Sequence, residues 1–208
     1  VSKCKHTKKK ILGKCGFKKN LCPHQKYLGT FPTAGSFREF IKIHKDQIRI
    51  IDNQIDIKHG AMVEPCGVAK FAIERANINF NKENKILILG SGAIGLLISV
   101  IIKIYKGQKV TIIDELKYRL HAAKKYFKSD KVIYSNLKLP NKELFNKFDF
   151  VFDCITNNNS INLSVQALKN SGKLVVVGIP TSDFVKINPH KIRIKEIFLF
   201  SHTTFGVG

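Results

Sequence analysis

The stretch "ILILGSGAIG", residues 86–95, constrains the fold more than any other part of this 208-residue chain. Ile86 to Leu89 form a short apolar run that ends at Gly90, and "AIGLLISVIIKIYK" follows. An unbroken apolar run of this length reads as a strand buried on both faces, and the longer stretch after it as an apolar helix. Gly90, Gly92 and Gly95 therefore give G-x-G-x-x-G directly after a strand and at the start of a helix. Gly90 permits the tight turn, Gly92 lets backbone approach a pyrophosphate, and Gly95 lets helix and strand pack closely. The helix N-terminus adds free N–H groups and a positive dipole end for phosphates. Asp114 ends the next strand, "KVTIID", 19 residues after Gly95. Its carboxylate can accept hydrogen bonds from the adenosine ribose and repels a 2′-phosphate, which favours NAD over NADP. Lys117 and Arg119 lie close by and keep NADP open.

The pattern stays regular after this unit. Strands are predicted at "KILILG", "KVTIID", "KVIYS", "FDFVFDC", "GKLVVVGIP" and "EIFLFSH", with helices at "LKYRLHAAKKYF" and "SINLSVQALKN" between them. Apolar strands alternating with helices mean an α/β fold: a doubly wound parallel sheet covered on both faces. The three asparagines at 157–159 read as a loop. Ahead of this, residues 61–77 can form a helix, and residues 1 to about 60 are irregular. Within that front part, "REFIKIHKDQIRII" alternates through Phe40, Ile41, Ile43, Ile48 and Ile50 and predicts a strand. The expected division is a front lobe over residues 1–75 and a dinucleotide-binding domain over residues 76–208.

The formal charge is +21, from 36 Lys and Arg against 15 Asp and Glu. Such a balance points to a polyanion partner when the cations cluster. Here they are spread along the chain, and only residues 3–19 are dense in them. Lys, Asn and Ile are abundant together and share AT-rich codons, so the excess reads as compositional and no specific nucleic-acid partner is expected. No charge-free apolar run of about 18 residues occurs, so no membrane span is expected. The start, "VSKCKHTKKK", has no apolar segment of a signal peptide, and five cysteines form no regular pairing. Both features fit a reducing, cytoplasmic setting. The first residue is Val, which suits a piece of something longer. A homo-oligomer is compatible with the sequence and not specified by it.

"GAMVEPCGVAK", residues 60–70, poses a separate question, because Glu64 sits among small and apolar side chains. It is either the first turn of a helix, with Pro65 beside it, or a buried carboxylate that needs a partner. Together with "LCPHQKYLGT", "GSFREF", "ILGSGAIGLL", "VTIIDELKYRLHAAKKY", "FDFVFDC" and "GKLVVVGIP", "AMVEPCGVA" resembles the zinc-dependent medium-chain dehydrogenases of the alcohol dehydrogenase superfamily. The "VEP" segment resembles their polyol, sorbitol-type branch. The likeness runs over about residues 22–200 and covers part of the family's length.

That resemblance implies a Rossmann domain preceded by part of a GroES-like catalytic lobe. It implies an NAD-dependent oxidoreductase that moves hydride between NAD and a polyol or secondary alcohol, with zinc lowering the pKa of the substrate hydroxyl. Glu64 resembles a group in the inner sphere of the catalytic zinc. The family's other catalytic ligands would lie upstream of Val1. Cys4, Cys15 and Cys22 stand where the family has a structural-zinc lobe, but their separations of 11 and 7 depart from its C-x2-C-x2-C spacing. Ile94 and Arg119 fall on the pyrophosphate and adenosine side. Val177, Gly178 and Ile179 fall beside the nicotinamide carboxamide, through backbone groups. Cys66 and Cys154 read as small core side chains. The competing expectations are an inactive fragment, an NAD-binding module without the catalytic zinc site, and a basic nucleic-acid binder.

Overall fold

The computed structural model describes residues 28–201 except 44, 46–47, 105–107 and 139–140. The described residues separate into two compact units, divided between Gly60 and Ala61.

In the first unit the described residues make turns and one short helix, α1 (Ile57–Gly60). The strand predicted around residues 40–50 does not form among the described residues, and Phe40, Ile41, Ile43, Ile48 and Ile50 are exposed. Alternation becomes a strand only where a neighbouring strand completes the ladder. None of the described strands pairs with this segment.

The second unit opens with α2 (Val63–Ala76) and continues β1 (Lys85–Leu89), α3 (Ala93–Ile104), β2 (Lys109–Asp114), α4 (Lys117–Lys125) and β3 (Lys131–Tyr134). After a 3-10 turn at Lys142–Leu144 come β4 (Phe148–Asp153), α5 (Asn158–Ala167), β5 (Leu168–Val176), α6 (Pro189–Lys195) and β6 (Phe198–Ser201). The six strands lie in the order β3-β2-β1-β4-β5-β6, every pair parallel. This is the doubly wound sheet expected of the sequence.

Strand β1 shows why both faces are covered. Ile86 and Ile88 join one apolar cluster with α2, α3 and α4, while Leu87 and Leu89 join the other with α5. All four are fully buried, and each contributes about 1.5–3 kcal/mol relative to exposure. Helix α2 presents Ala69, Ala72, Ile73 and Ala76 to this core, and its alanines let it approach α3 closely.

Three details of the elements differ from the sequence reading. The "LKN" end of the predicted helix belongs to β5, and α5 stops at Ala167. The asparagine run is a helix start and not a loop. Asn157 accepts from Asn159 N and Ser160 N, and Ser160 Oγ accepts from Asn157 N, a reciprocal cap. Helix α6 was not anticipated, although Asn188 as N-cap and Pro189 at the first helical position mark it.

Candidate cofactor site at the C-terminal edge of the sheet

Strands β1 and β4 are neighbours, but the chain leaves them for helices on opposite faces. A parallel sheet opens a crevice at such a switch point, beyond the strands' C-terminal ends. Gly90 and Cys154 stand at its two sides, with Cys154 N donating to Leu89 O at 2.9 Å.

The three glycines of the turn have different physical reasons. Gly90 adopts φ +95°, a left-handed conformation that side chains disfavour. A Cβ on Gly95 would lie 2.0 Å from Gly90 O, so helix α3 and the turn are in backbone contact there. A Cβ on Gly92 would meet nothing within 4 Å. Gly92 thus faces open space at the N-terminus of α3, where unpaired N–H groups gather. An unobstructed position beside such donors suits an anion such as a phosphate. Ile94, one residue into α3, packs against the α2–α3 core.

Asp114 ends β2 and is 3% exposed. Its Oδ2 accepts from Ser91 N at 2.7 Å and Ser91 Oγ at 2.9 Å, and its Oδ1 accepts from Leu116 N at 2.8 Å. A carboxylate offers about four acceptor positions, so one remains for an incoming hydroxyl. Arg119 Nη1 lies 3.9 Å from Oδ2, and its guanidinium stacks over Tyr118 with 5.9 Å to the ring centroid. The structure therefore brings Gly90, Gly92, Gly95, Asp114 and Arg119 to one end of the sheet. Ser91 was missed by sequence reasoning; its hydroxyl became visible as a partner only when the turn was folded against β2.

Asp153 anchors the other side of the crevice. It is fully buried, and its Oδ1 accepts from Ile155 N at 3.0 Å and Thr156 N at 2.9 Å, its Oδ2 from Ser160 Oγ at 2.8 Å. Burial pushes its pKa up, and the three donors oppose that rise without cancelling it. Thr156 is held at φ +56°, an outlier for a β-branched residue that costs of order 1–3 kcal/mol. Burial, and then the Asp153 charge, push the Cys154 thiol far above its ordinary pKa, so it stays protonated and unreactive.

Val177 and Gly178 follow β5 into the same place. Val177 N and Gly178 N both donate to Asp153 O, at 2.8 and 2.9 Å. Their N–H groups are thus taken up within the protein, and any backbone contact they make to a ligand goes through carbonyls. Ile179 is 81% exposed at the rim.

Glu64 stands in the first turn of α2, exposed, with Pro65 beside it. This is the helix-start arrangement, in which a carboxylate meets the positive end of the dipole. Among the described residues no three His, Cys, Asp or Glu side chains gather to hold a metal ion. Cys4, Cys15 and Cys22 lie outside the described residues. A zinc centre takes three or four protein ligands, so the described residues do not fit one.

Residues 93–207, more than half of the chain, match the family model described as zinc-binding dehydrogenase. The chain belongs to the zinc-binding dehydrogenases. L-idonate 5-dehydrogenase of Vitis vinifera is 28% identical over 198 residues, 88% of this chain and 53% of that protein. Sorbitol dehydrogenase of Bacillus subtilis is 26% identical over 196 residues, 88% of this chain and 54% of that one. This zinc-binding dehydrogenase chain therefore spans about half the length of the curated relatives it matches. Among solved structures, a short chain alcohol dehydrogenase from Escherichia coli complexed with NADH superimposes with a TM-score of 0.79 at 22% identity. The superposition covers 89% of this chain and 55% of that one, and it carries the fold. No helix among the described residues is long and apolar enough to cross a membrane.

Proposed function

We propose that the chain is the cofactor-binding part of an NAD-dependent dehydrogenase acting on a polyol or secondary alcohol. The observation that carries this reading is the open space over Gly92 at the N-terminus of α3, with Asp114 at the end of the neighbouring strand. The α3 N-terminus and the turn hold the pyrophosphate by backbone donors and dipole. Asp114 accepts from the adenosine ribose, and Arg119 and Ile94 border the same half. The carbonyls of Val177 and Gly178 and the side chain of Ile179 flank the nicotinamide and orient the ring that takes or gives hydride. In this reading the unit of residues 61–202, which takes in α2, binds the dinucleotide, and the residues ahead of it belong to the substrate lobe. The substrate class is supported by the sorbitol and L-idonate dehydrogenases among the relatives.

Zinc in such a reaction would polarise the substrate hydroxyl. Because Glu64 alone among the described residues does not make a zinc centre, no step is assigned to a metal in this chain. The test is calorimetric titration of the 208-residue chain with NAD, NADP and ADP-ribose. NAD is expected to bind more tightly than NADP, because Asp114 opposes a 2′-phosphate. Equal or tighter binding of NADP removes the role given to Asp114, and binding of none of the three removes the proposal.

A further inference from the structure

The Cys154–Ile155 segment is packed from two sides, its backbone by Gly178 and its Ile155 side chain by Gly90. A Cβ on Gly178 would lie 2.7 Å from Cys154 C and 2.8 Å from Ile155 N. A Cβ on Gly90 would lie 3.0 Å from Ile155 Cγ1. Distances under about 3 Å to backbone leave no room for a side chain, so Gly178 closes directly on the backbone of this segment, while Gly90 packs tightly against the Ile155 side chain. The segment is therefore the spacer between the glycine turn and the end of β5, and its position sets how far apart they stand. Apart from its strand hydrogen bonds, what fixes it is the Asp153 carboxylate. That group takes up Ile155 N and Thr156 N, holds Thr156 at φ +56°, and ties both to α5 through Ser160 Oγ. The Asp153 main-chain carbonyl completes the clamp from Val177 N and Gly178 N.

We propose that Asp153 is a positioning residue for the nicotinamide half of the cofactor: its carboxylate locks the Cys154–Ile155 spacer on which Gly90 and Gly178 close. It touches neither cofactor nor substrate. The inference rests on the dinucleotide reading above and adds to it that the two halves of the cofactor are set independently, the adenosine half by Asp114 and the nicotinamide half by Asp153. The chemistry is specific to a carboxyl or carboxamide. Asn at this position keeps an oxygen for the two N–H donors. Its amide can face Ser160 Oγ, which can turn its own proton to Asn157 O, 3.2 Å away. Ala leaves both N–H groups unpaired in a buried site.

The test uses two probes on the full chain. NADH, followed by its fluorescence, reports both halves; ADP-ribose, followed by calorimetry, reports the adenosine half alone. Asp153→Ala is expected to weaken NADH by about tenfold or more while ADP-ribose changes by less than about threefold. Asp153→Asn is expected to restore NADH to within about threefold of the parent chain. Equal loss of both probes in Asp153→Ala, or loss of neither, overturns the proposal, as does failure of Asn to rescue. If Asp153→Ala does not fold by thermal melting, Ser160→Ala replaces it. That variant is expected to weaken NADH selectively by about threefold, and an unchanged ratio of the two affinities overturns the proposal. A parent chain that binds neither probe overturns the dinucleotide reading and this inference together. A parent chain that binds both, with a uniform effect of Asp153→Ala, overturns this inference alone.

Discussion

Replacing Gly95 and Gly92 separately by Ala should split folding from binding. At Gly95 a Cβ would sit 2.0 Å from Gly90 O, 3.2 Å from Gly90 C and 3.2 Å from Ile88 Cγ2. Ordinary carbon–oxygen contact needs more than an ångström beyond that, and the obstructing atom is backbone. Helix α3 must move off the turn, or the turn off β1. Overpacking costs about 1–3 kcal/mol, and a backbone obstruction belongs at or above the top of that range. Ala recovers about 0.5–1 kcal/mol of helix propensity, leaving a loss of about 2–3 kcal/mol. For a unit of this size that lowers the melting midpoint by about 4–12 °C. Gly92 is different, because no atom lies within 4 Å of its Cβ position and it directly precedes α3. Gly92→Ala should cost no more than about 1 kcal/mol, the difference between two cap residues. Its methyl group would, however, occupy the space assigned to the pyrophosphate, so ADP-ribose affinity should fall by about tenfold or more. Melting by circular dichroism and calorimetric titration of ADP-ribose read the two effects. A Gly95→Ala protein that melts with the parent refutes the packing argument. A Gly92→Ala protein that binds ADP-ribose as tightly as the parent refutes the phosphate assignment.

Asp114→Ser should weaken NAD by about tenfold, a charge-assisted hydrogen bond's worth, and narrow its advantage over NADP; titration of both cofactors checks this. Lys195 donates to Val165 O, Gln166 O and Leu168 O and so closes the C-terminus of α5, even though burial and then Lys191 lower its pKa. Lys195→Met should therefore destabilise by about 1–3 kcal/mol through unpaired carbonyls, read from urea denaturation. The raised pKa of Asp153 means that the folded state holds its proton longer than the unfolded state. Its favourable contribution is fully present below the ordinary carboxylate pKa and is lost as pH rises through the raised one. Asp153→Asn should gain stability relative to the parent across that interval, and a difference in melting midpoint that does not change with pH would refute the sign. Duplex DNA should bind weakly, without sequence preference and with strong salt dependence; a sequence-specific complex at physiological salt would overturn the compositional reading of the charge.

The order and type of the sheet elements were legible because they rest on local signals. Ile86–Leu89 and Phe150–Phe152 are unbroken apolar runs, and Val110–Ile113 is interrupted only by Thr111; such runs favour burial whatever the rest of the chain does. The glycine turn was legible for the same reason, since spacing alone encodes its backbone geometry. The segment around residues 40–50 was not, because a ladder partner is a property of another segment. The role of Asp153 is not legible in "FDFVFDC". Its role depends on Ser160 and on Gly178, 25 residues away, and no periodicity links them. The same holds for Ser91, whose hydroxyl finds Asp114 across the β1–β2 pair, 23 residues on. Part of the lysine excess also acquired a place. Lys173 donates to Ala76 O and Asn77 O at the end of α2, as Lys195 does for α5. Cations at helix C-termini meet both orphan carbonyls and the negative dipole end.

Asp114 and Asp153 are built alike and are not interchangeable. Each ends a strand, each is buried, and each accepts two main-chain N–H groups and one serine hydroxyl. They differ in what lies outside that shell. Arg119 approaches Asp114 to 3.9 Å, and α4 begins beside it with Lys117. Asp153 has no ion pair among those described; it is fully buried, and the Cys154–Ile155 segment it orders packs against Gly178 and Gly90. A charge facing cations and an open crevice can act on a ligand. A charge enclosed by backbone can only order that backbone, and its neutral isostere orders it equally well. Asn should therefore be tolerated at 153 and costly at 114, in the same chain and for the same cofactor. The comparison needs only the NADH affinities of Asp153→Asn and Asp114→Asn, measured side by side. Equal losses would mean that the two carboxylates are parts of one site, and the reverse order would mean that the nicotinamide and adenosine ends have been exchanged.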